Sequence, residues 1–253
     1  MRSLIFLVTL CLTSAVLGKP PQQRIIGGSV TTIENYPFAV AALRLSVAPT
    51  LACGGVILNN RSVLTAAQCF YGTSSSNWRL RIGSSFVYSG GSVYTVSNLI
   101  YHPDFQIFYQ NNVGIFRLSS PIVFGDNVQP GRFASANYIV ADNEPVWTYG
   151  WGATSYNGPI SNQLKHVQIH TVNQEICWNS YNIISISVTE NEMCAGNFEQ
   201  GGQDPCPGDY GGALLHNGNV VGISSWGSVC GFRHYPAVYT RVPRFIDWIV
   251  ANA

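Results

Sequence analysis

The densest chemistry in the chain lies in Asp204-Pro205-Cys206-Pro207-Gly208-Asp209-Tyr210-Gly211-Gly212-Ala213, a glycine- and proline-rich loop holding two carboxylates and a phenol. A carboxylate can orient or hold a cation. The phenol of Tyr210 carries its hydroxyl on a rigid ring, several ångströms farther from the backbone than a serine oxygen. Gln68, in Thr65-Ala66-Ala67-Gln68-Cys69, offers a primary amide. It has no nitrogen that titrates near neutral pH and cannot serve as a general base. Asn112 is a second amide. Of the histidines, His166 and His170 stand four apart, a spacing that would suit a metal on a helix. The alternation Leu164, His166, Gln168, His170 instead reads as a strand, where four residues span roughly 13 Å, too far for one ion. His216 and His234 fall on predicted loops. No metal site and no cofactor is expected.

The loop must be positioned by a secreted scaffold. Residues 1–18 join a basic Arg2 to an apolar core from Leu4 to Leu17 and end on a small residue, which reads as a signal peptide. No later run is apolar for long enough to suggest a membrane span. Removing residues 1–18 removes Cys11 and leaves Cys53, Cys69, Cys177, Cys194, Cys206 and Cys230. An even count in a secreted chain favours disulfides over metal ligation, with the pairing left open among 15 connectivities. Cutting after Arg24 leaves ten basic residues against twelve acidic ones, so nothing suggests nucleic acid. Nine of those ten are arginines, which keep their charge where lysine begins to lose it, and that would suit an alkaline fluid such as a gut lumen. Asn60-Arg61-Ser62 is the one N-glycosylation sequon, with Asn60 between two strand signals.

Short apolar or alternating runs separated by turn residues continue through the chain. Residues 38–45, 54–58, 62–65, 78–82, 93–100 and 114–118 are predicted strands, followed by 146–150, 163–171, 213–215, 219–226 and 237–241. The tail 243–252 has Phe245, Ile246, Trp248, Ile249 and Val250 behind a proline, which predicts a terminal amphipathic helix.

Residues 25–253 resemble trypsin-like serine proteases of the chymotrypsin family, peptidase family S1, and look closest to insect digestive trypsins. The resemblance rests on Ile25-Ile26-Gly27-Gly28, Cys53-Gly54-Gly55, Thr65-Ala66-Ala67-Gln68-Cys69 and Gly150-Trp151-Gly152. It continues through Gly208-Asp209-Tyr210-Gly211-Gly212, Ser225-Trp226-Gly227 and Pro236-Ala237-Val238-Tyr239-Thr240-Arg241-Val242. It implies an all-β fold of two packed six-stranded antiparallel Greek-key barrels, roughly 38–130 and 140–241, with a C-terminal helix at roughly 243–252. It also implies disulfides Cys53–Cys69, Cys177–Cys194 and Cys206–Cys230. Residues 19–24 resemble an activation peptide, with cleavage after Arg24 freeing the Ile25 amine to insert beside Asp209.

In this family a serine hydroxyl attacks the scissile carbonyl, an imidazole moves its proton and a buried carboxylate orients the imidazole. Tyr210, Gln68 and Asn112 stand at those three positions, so no catalytic residue is expected there. His102-Pro103-Asp104 matches a loop that active members also carry and is expected to be structural. The binding features are better matched. Asp204 corresponds to the pocket carboxylate that selects Arg and Lys, and reads first as a relic of it, solvated or paired locally, and second as a working basic-ligand pocket; Gly227 corresponds to one pocket wall and Ala237, with an added methyl, to the other. Ser225, Trp226 and Gly227 could offer a backbone edge to a peptide, and Gly208 could donate to a carbonyl oxygen. The Tyr210 ring is expected to cover the pocket mouth.

The expectation is therefore a secreted, monomeric, non-catalytic homologue, a decoy, adaptor or cofactor whose partners are protease inhibitors or active proteases, with neither nucleic acid nor membrane as partner. The alternatives are a trypsin-like endopeptidase by family membership with residual activity, or an abundant extracellular protein with a structural or storage role.

Overall fold

The computed structural model describes residues 27–106 and 110–253. The signal segment, residues 19–24 and Ile25 lie outside the described residues. After a two-residue strand β1 (Ser29–Val30), the first barrel is built from β2 (Ala39–Arg44), β3 (Thr50–Asn59), β4 (Ser62–Thr65), β5 (Trp78–Ile82), β6 (Ser92–Tyr101) and β7 (Gly114–Leu118). They close antiparallel in the order β2-β3-β4-β7-β6-β5. The second set is β8 (Pro145–Gly150), β9 (Lys165–Val172), β10 (Glu192–Gly196), β11 (Ala213–His216), β12 (Asn219–Trp226) and β13 (Ala237–Arg241). These run β9-β10-β13-β12-β11-β8, and pairing of β8 with β9 closes the ring. β1 adds to the outside of β9.

The two-residue period of a strand explains how so many of these strands are buried on both faces. In β2, Val40 and Ala42 face the interior of the first barrel, while Ala39, Ala41 and Leu43 face the second. Val63 and Leu64 of β4 divide in the same way, as do Phe116 and Ile115 of β7. In the second barrel Leu214 and Val221 point inward, and Ala213, Val220 and Ile223 join the layer between barrels. Within the first barrel Phe116 sits at ring-centroid distances of 4.9 Å from Phe70 and 5.2 Å from Trp78. Fully burying each such side chain contributes on the order of 1.5–3 kcal/mol. A slip of one residue in any of these strands would exchange the two layers, so the register is strongly specified.

Two helices pin the outside. α1 (Gln174–Asn182) starts at Asn173, whose side-chain oxygen accepts from Glu175 N at 3.0 Å and Ile176 N at 3.2 Å. α2 (Ile246–Asn252) follows a 3-10 turn at Val242–Arg244 and buries Ile249 in the inter-barrel layer. Three disulfides join Cys53 to Cys69, Cys177 to Cys194 and Cys206 to Cys230, as the resemblance implies. Each closes a short loop, a constraint worth about 3 kcal/mol.

Candidate active site

The site lies where the barrels meet, and four backbone bonds fix it there. Tyr210 O accepts from Gly54 N of β3 at 2.7 Å, and Gly211 N donates to Ser224 O of β12 at 2.7 Å. Ser224 N donates to Gly212 O at 2.8 Å, and Gly212 N donates to Asp209 O at 2.9 Å. The close approach demands glycine at 211. Its φ is +85°, and a Cβ there would stand 2.1 Å from Thr65 Oγ1.

Gln68 comes from the 3-10 turn Ala67–Cys69 after β4, and Asn112 from the residues leading into β7. Asn112 is fully buried, and both side-chain polar atoms and its carbonyl are hydrogen-bonded. Its Oδ1 accepts from Gln68 N at 2.9 Å, its Nδ2 donates to Ser225 Oγ at 2.8 Å, and its carbonyl accepts from Thr240 Oγ1 at 2.9 Å. Gln68 Nε2 donates to Ser225 O at 2.6 Å. The two amides thus stitch the first barrel to β12 and β13 of the second. Gln68 Oε1 is buried with no hydrogen-bond partner among the described residues. It can accept a hydrogen bond but cannot take a proton at ordinary pH.

Tyr210 follows Asp209 in the loop at the barrel junction. It lines a cleft of about 440 Å³ with Arg44, Ala52, Cys53, Gln68, Cys69, Tyr71 and Phe105. Asp204, Gly227 and Ala237 do not line that cleft. The ring packs on the hydrophobic side of the first barrel, beside Ala52 and Cys69, where its apolar face leaves water. The Tyr210 phenol is also close enough to act electrostatically on the Tyr181 hydroxyl, on which Asp204 acts as well.

Asp209 and Asp204 are the buried charges of the site. Asp209 Oδ1 accepts from Gly152 N at 2.6 Å and Oδ2 from Cys206 N at 3.1 Å. Gly150 and Gly152 exist to admit it, because a Cβ at either would fall 2.0 Å or 2.3 Å from a carboxylate oxygen. Burial pushes Asp209 up to about 7, against the pull of those two amides. Asp204 is 5% exposed. Its Oδ2 accepts from Gly231 N at 2.8 Å, while Oδ1 is buried without a hydrogen bond of normal geometry. Burial pushes its carboxyl up to about 8. The Gly231 and Ala237 amides oppose that rise, and the charge of Asp209 adds to it. Neither carboxylate has an ion-pair partner among the described residues. Ile25, expected beside Asp209, lies outside the described residues, as does Arg24.

Ala237 is buried beside Asp204, and Gly227 follows Trp226 at the end of β12 with ordinary space around it. Sequence reasoning missed Tyr181 of α1. Its hydroxyl donates to Pro236 O at 2.7 Å and stands 3.8 Å from where a Gly227 Cβ would be. Its ring meets Trp226 at 4.7 Å, and Trp226 Nε1 donates to Glu192 Oε1 at 2.8 Å. It also missed Gly231, whose amide donates to Asp204 Oδ2 at 2.8 Å. The N-cap signal at Asn173 would have located α1 and with it Tyr181. Nothing in the sequence singles out Gly231.

The remaining candidates lie away from this junction. His102 packs on Phe245 and Trp248 at 5.3 Å each. His166 and His170 are both on β9, and His166 Nδ1 is 2.7 Å from Tyr36 Oη. Among the described residues no group of three or more His, Cys, Asp or Glu side chains is placed to hold a metal ion. No described helix is long and apolar enough to cross a membrane. Asn60 is exposed in the turn between β3 and β4.

The family profile named Trypsin matches residues 25–249. "Trypsin, alkaline B" of Manduca sexta is 47% identical over 254 residues, covering 98% of this chain and 99% of its own. "Trypsin CFT-1" of Choristoneura fumiferana is 45% identical over the whole of both chains. "Vitellin-degrading protease" of Bombyx mori is 34% identical, over 90% of this chain and 85% of its own. These relatives overturn the expectation that the chain is no enzyme but a non-catalytic decoy, adaptor or cofactor. Chains sharing nearly half of its residues end to end are named trypsins, and that finding backs the endopeptidase alternative over the pseudoenzyme. Gln68, Asn112 and Tyr210 remain the residues at the barrel junction, but they no longer decide the class. Through a profile that spans nearly the whole chain beyond residue 24, and through relatives of this identity, the chain belongs to the trypsin family.

Proposed function

We propose that the chain is a secreted trypsin-like serine endopeptidase by family membership, working at a residual rate and directed to peptide bonds that follow Arg or Lys. The observation that carries this reading is end-to-end similarity to chains named trypsins. The buried Asp204, with no ion-pair partner among the described residues, supports the basic specificity. A guanidinium or ammonium entering beside Oδ1 would supply the missing counter-ion.

Rate acceleration then comes chiefly from binding and orientation. Family members stripped of one of the three catalytic groups keep about 10³–10⁴-fold over water from the oxyanion hole and substrate binding alone. Here the Gly208–Tyr210 turn presents backbone amides, and Gly208 has φ +102°. Gln68 Oε1 is a buried acceptor that can orient a donor on water or substrate but cannot carry a proton between steps. Cleavage after Arg24 would bring the Ile25 amine to Asp209 and compensate its buried charge. Protein inhibitors that present Arg or Lys are the partners this pocket would take, and Asn60 is a glycosylation site open to solvent.

The test is turnover of Arg and Lys esters and amides by the purified chain cut after Arg24, beside Asp204→Asn. Hydrolysis above buffer is expected for basic substrates, with kcat/KM reduced roughly 100-fold or more by Asp204→Asn, as loss of a partly buried ion pair requires. Turnover equal to buffer, or unchanged in Asp204→Asn, overturns the reading.

A further inference from the structure

Away from the barrel junction, a cavity of about 500 Å³ opens between the segment joining the barrels, the start of α1 and the end of β13. Asn137, Tyr138 and Ile139 form one side, Gln174 and Glu190 a second, and Arg241 with Arg244 a third. Two guanidinium groups thus share a concave space with one carboxylate. Glu190 is spoken for: its Oε2 pairs with Arg244 at 3.2 Å.

Arg241 differs. It is half-buried and forms no ion pair among the described residues. Its Nε donates to Glu190 O at 3.2 Å, and its Nη2 to Gln174 Oε1 at 2.9 Å and Glu192 O at 3.0 Å. All three acceptors are neutral. The nearby Glu192 carboxylate turns away, with Oε1 on Trp226 Nε1 and Oε2 on Thr189. The second terminal nitrogen, Nη1, donates to nothing among the described residues. Three neutral bonds hold the fork at a fixed angle and leave the charge uncompensated at the edge of a cavity. Burial and the like charge of Arg244 both lower the Arg241 pKa from its ordinary value, as expected for a cation lacking an anion.

We propose that this cavity is an anion-binding site, taking a small molecule that bears a phosphate or carboxylate group, with Arg241 as the principal contact and Arg244 as the second. Nη1 keeps both of its N–H donors, held in direction by the three bonds above, and can give them to oxygens of such a group. The space exceeds a single inorganic ion and fits an anionic group carried on a small organic body. Tyr138 and Asn137 line the remainder of the cavity and would face that body.

Titration calorimetry on the full chain at low ionic strength, with inorganic phosphate and separately with citrate, tests the proposal and distinguishes the two chemistries. Binding of at least one anion is expected, with Kd on the order of 1 mM or tighter. It should weaken in raised salt. Arg241→Gln should weaken it roughly tenfold or more and Arg244→Gln by a smaller factor. If Arg241→Gln does not fold, as judged by circular dichroism, Arg241→Lys replaces it. That variant keeps the charge, loses the fixed Nη1 donors and is expected to bind several-fold more weakly. Absence of binding by either anion, or affinity unchanged in every Arg241 and Arg244 variant, overturns the site.

Discussion

Asp204→Asn should change how stability depends on pH, and the magnitude can be worked from the site. An ordinary aspartate titrates at 3.8, and burial raises Asp204 to about 8 in the folded chain. Below the lower value both states hold the proton, and the carboxyl contributes no difference. Above it the unfolded chain releases its proton while the folded chain keeps it, so the unfolded state gains. Stability is therefore lost progressively as pH rises and levels off once the folded carboxyl ionises. At about 1.4 kcal/mol per pH unit, the full loss is on the order of 6 kcal/mol. Water entry and local relaxation reduce it, and about 2–4 kcal/mol is the expected observable. The amide introduced by Asp204→Asn does not titrate and lacks this slope, and the variant also removes the repulsion between Asp204 and Asp209, which is part of the same difference. Urea unfolding with disulfides intact, from pH 4.5 to 9, should show the variant gaining on the natural chain by that amount. A difference that stays flat within about 0.5 kcal/mol would refute the argument, because it would mean that the Asp204 charge is already compensated.

Replacing Gln68→His, Asn112→Asp and Tyr210→Ser together should raise kcat/KM on Arg substrates by roughly 10³-fold or more, while each single change should gain little, because the three groups act as a unit. A single change that matched the triple would show that the positions have been misassigned. Gly152→Ala should destabilise by about 2–4 kcal/mol, since its Cβ would fall 2.3 Å from Asp209 Oδ2. Gly125→Ala, with nothing within 4 Å of its Cβ, is the control and should stay within about 0.5 kcal/mol. Equal thermal shifts for the two would contradict the packing described around Asp209.

The barrels were legible because their strands obey a period of two and end at turn residues. The predictions for Ser62–Thr65, Trp78–Ile82, Gly114–Leu118, Asn219–Trp226 and Ala237–Arg241 agree with the observed bounds. β10 escaped because Glu192–Gly196 is buried at every position and shows no alternation. α1 escaped because Gln174–Asn182 mixes β-branched, aromatic and asparagine residues, and its N-cap is the one local signal. The contacts of Asn112 with Ser225 and Thr240 span 113 and 128 residues, and no local pattern encodes such pairs.

The junction is held by neutral groups in a place built for charge. Asn112 satisfies Gln68 N, Ser225 Oγ and Thr240 Oγ1 at normal distances without carrying charge into a fully buried position. An aspartate at 112 could keep the bond from Gln68 N and, if the Ser225 hydroxyl rotated to donate, the bond to Ser225 as well. The geometry therefore tolerates a carboxylate. What the junction lacks is the cation that would offset its desolvation, and with Gln68 in place that penalty is several kcal/mol. An imidazole at 68 supplies the cation only when it holds a proton, which near and above neutral pH it takes during attack from a hydroxyl placed to reach both it and the substrate. Tyr210 puts its hydroxyl at the end of a ring that packs toward Ala52 and Cys69. Each of the three side chains thus suits the other two present now, and each of the three replacements depends on the other two replacements. For that reason the coupling energy, measured by comparing the triple change with the single ones, carries more information about this site than any single rate does.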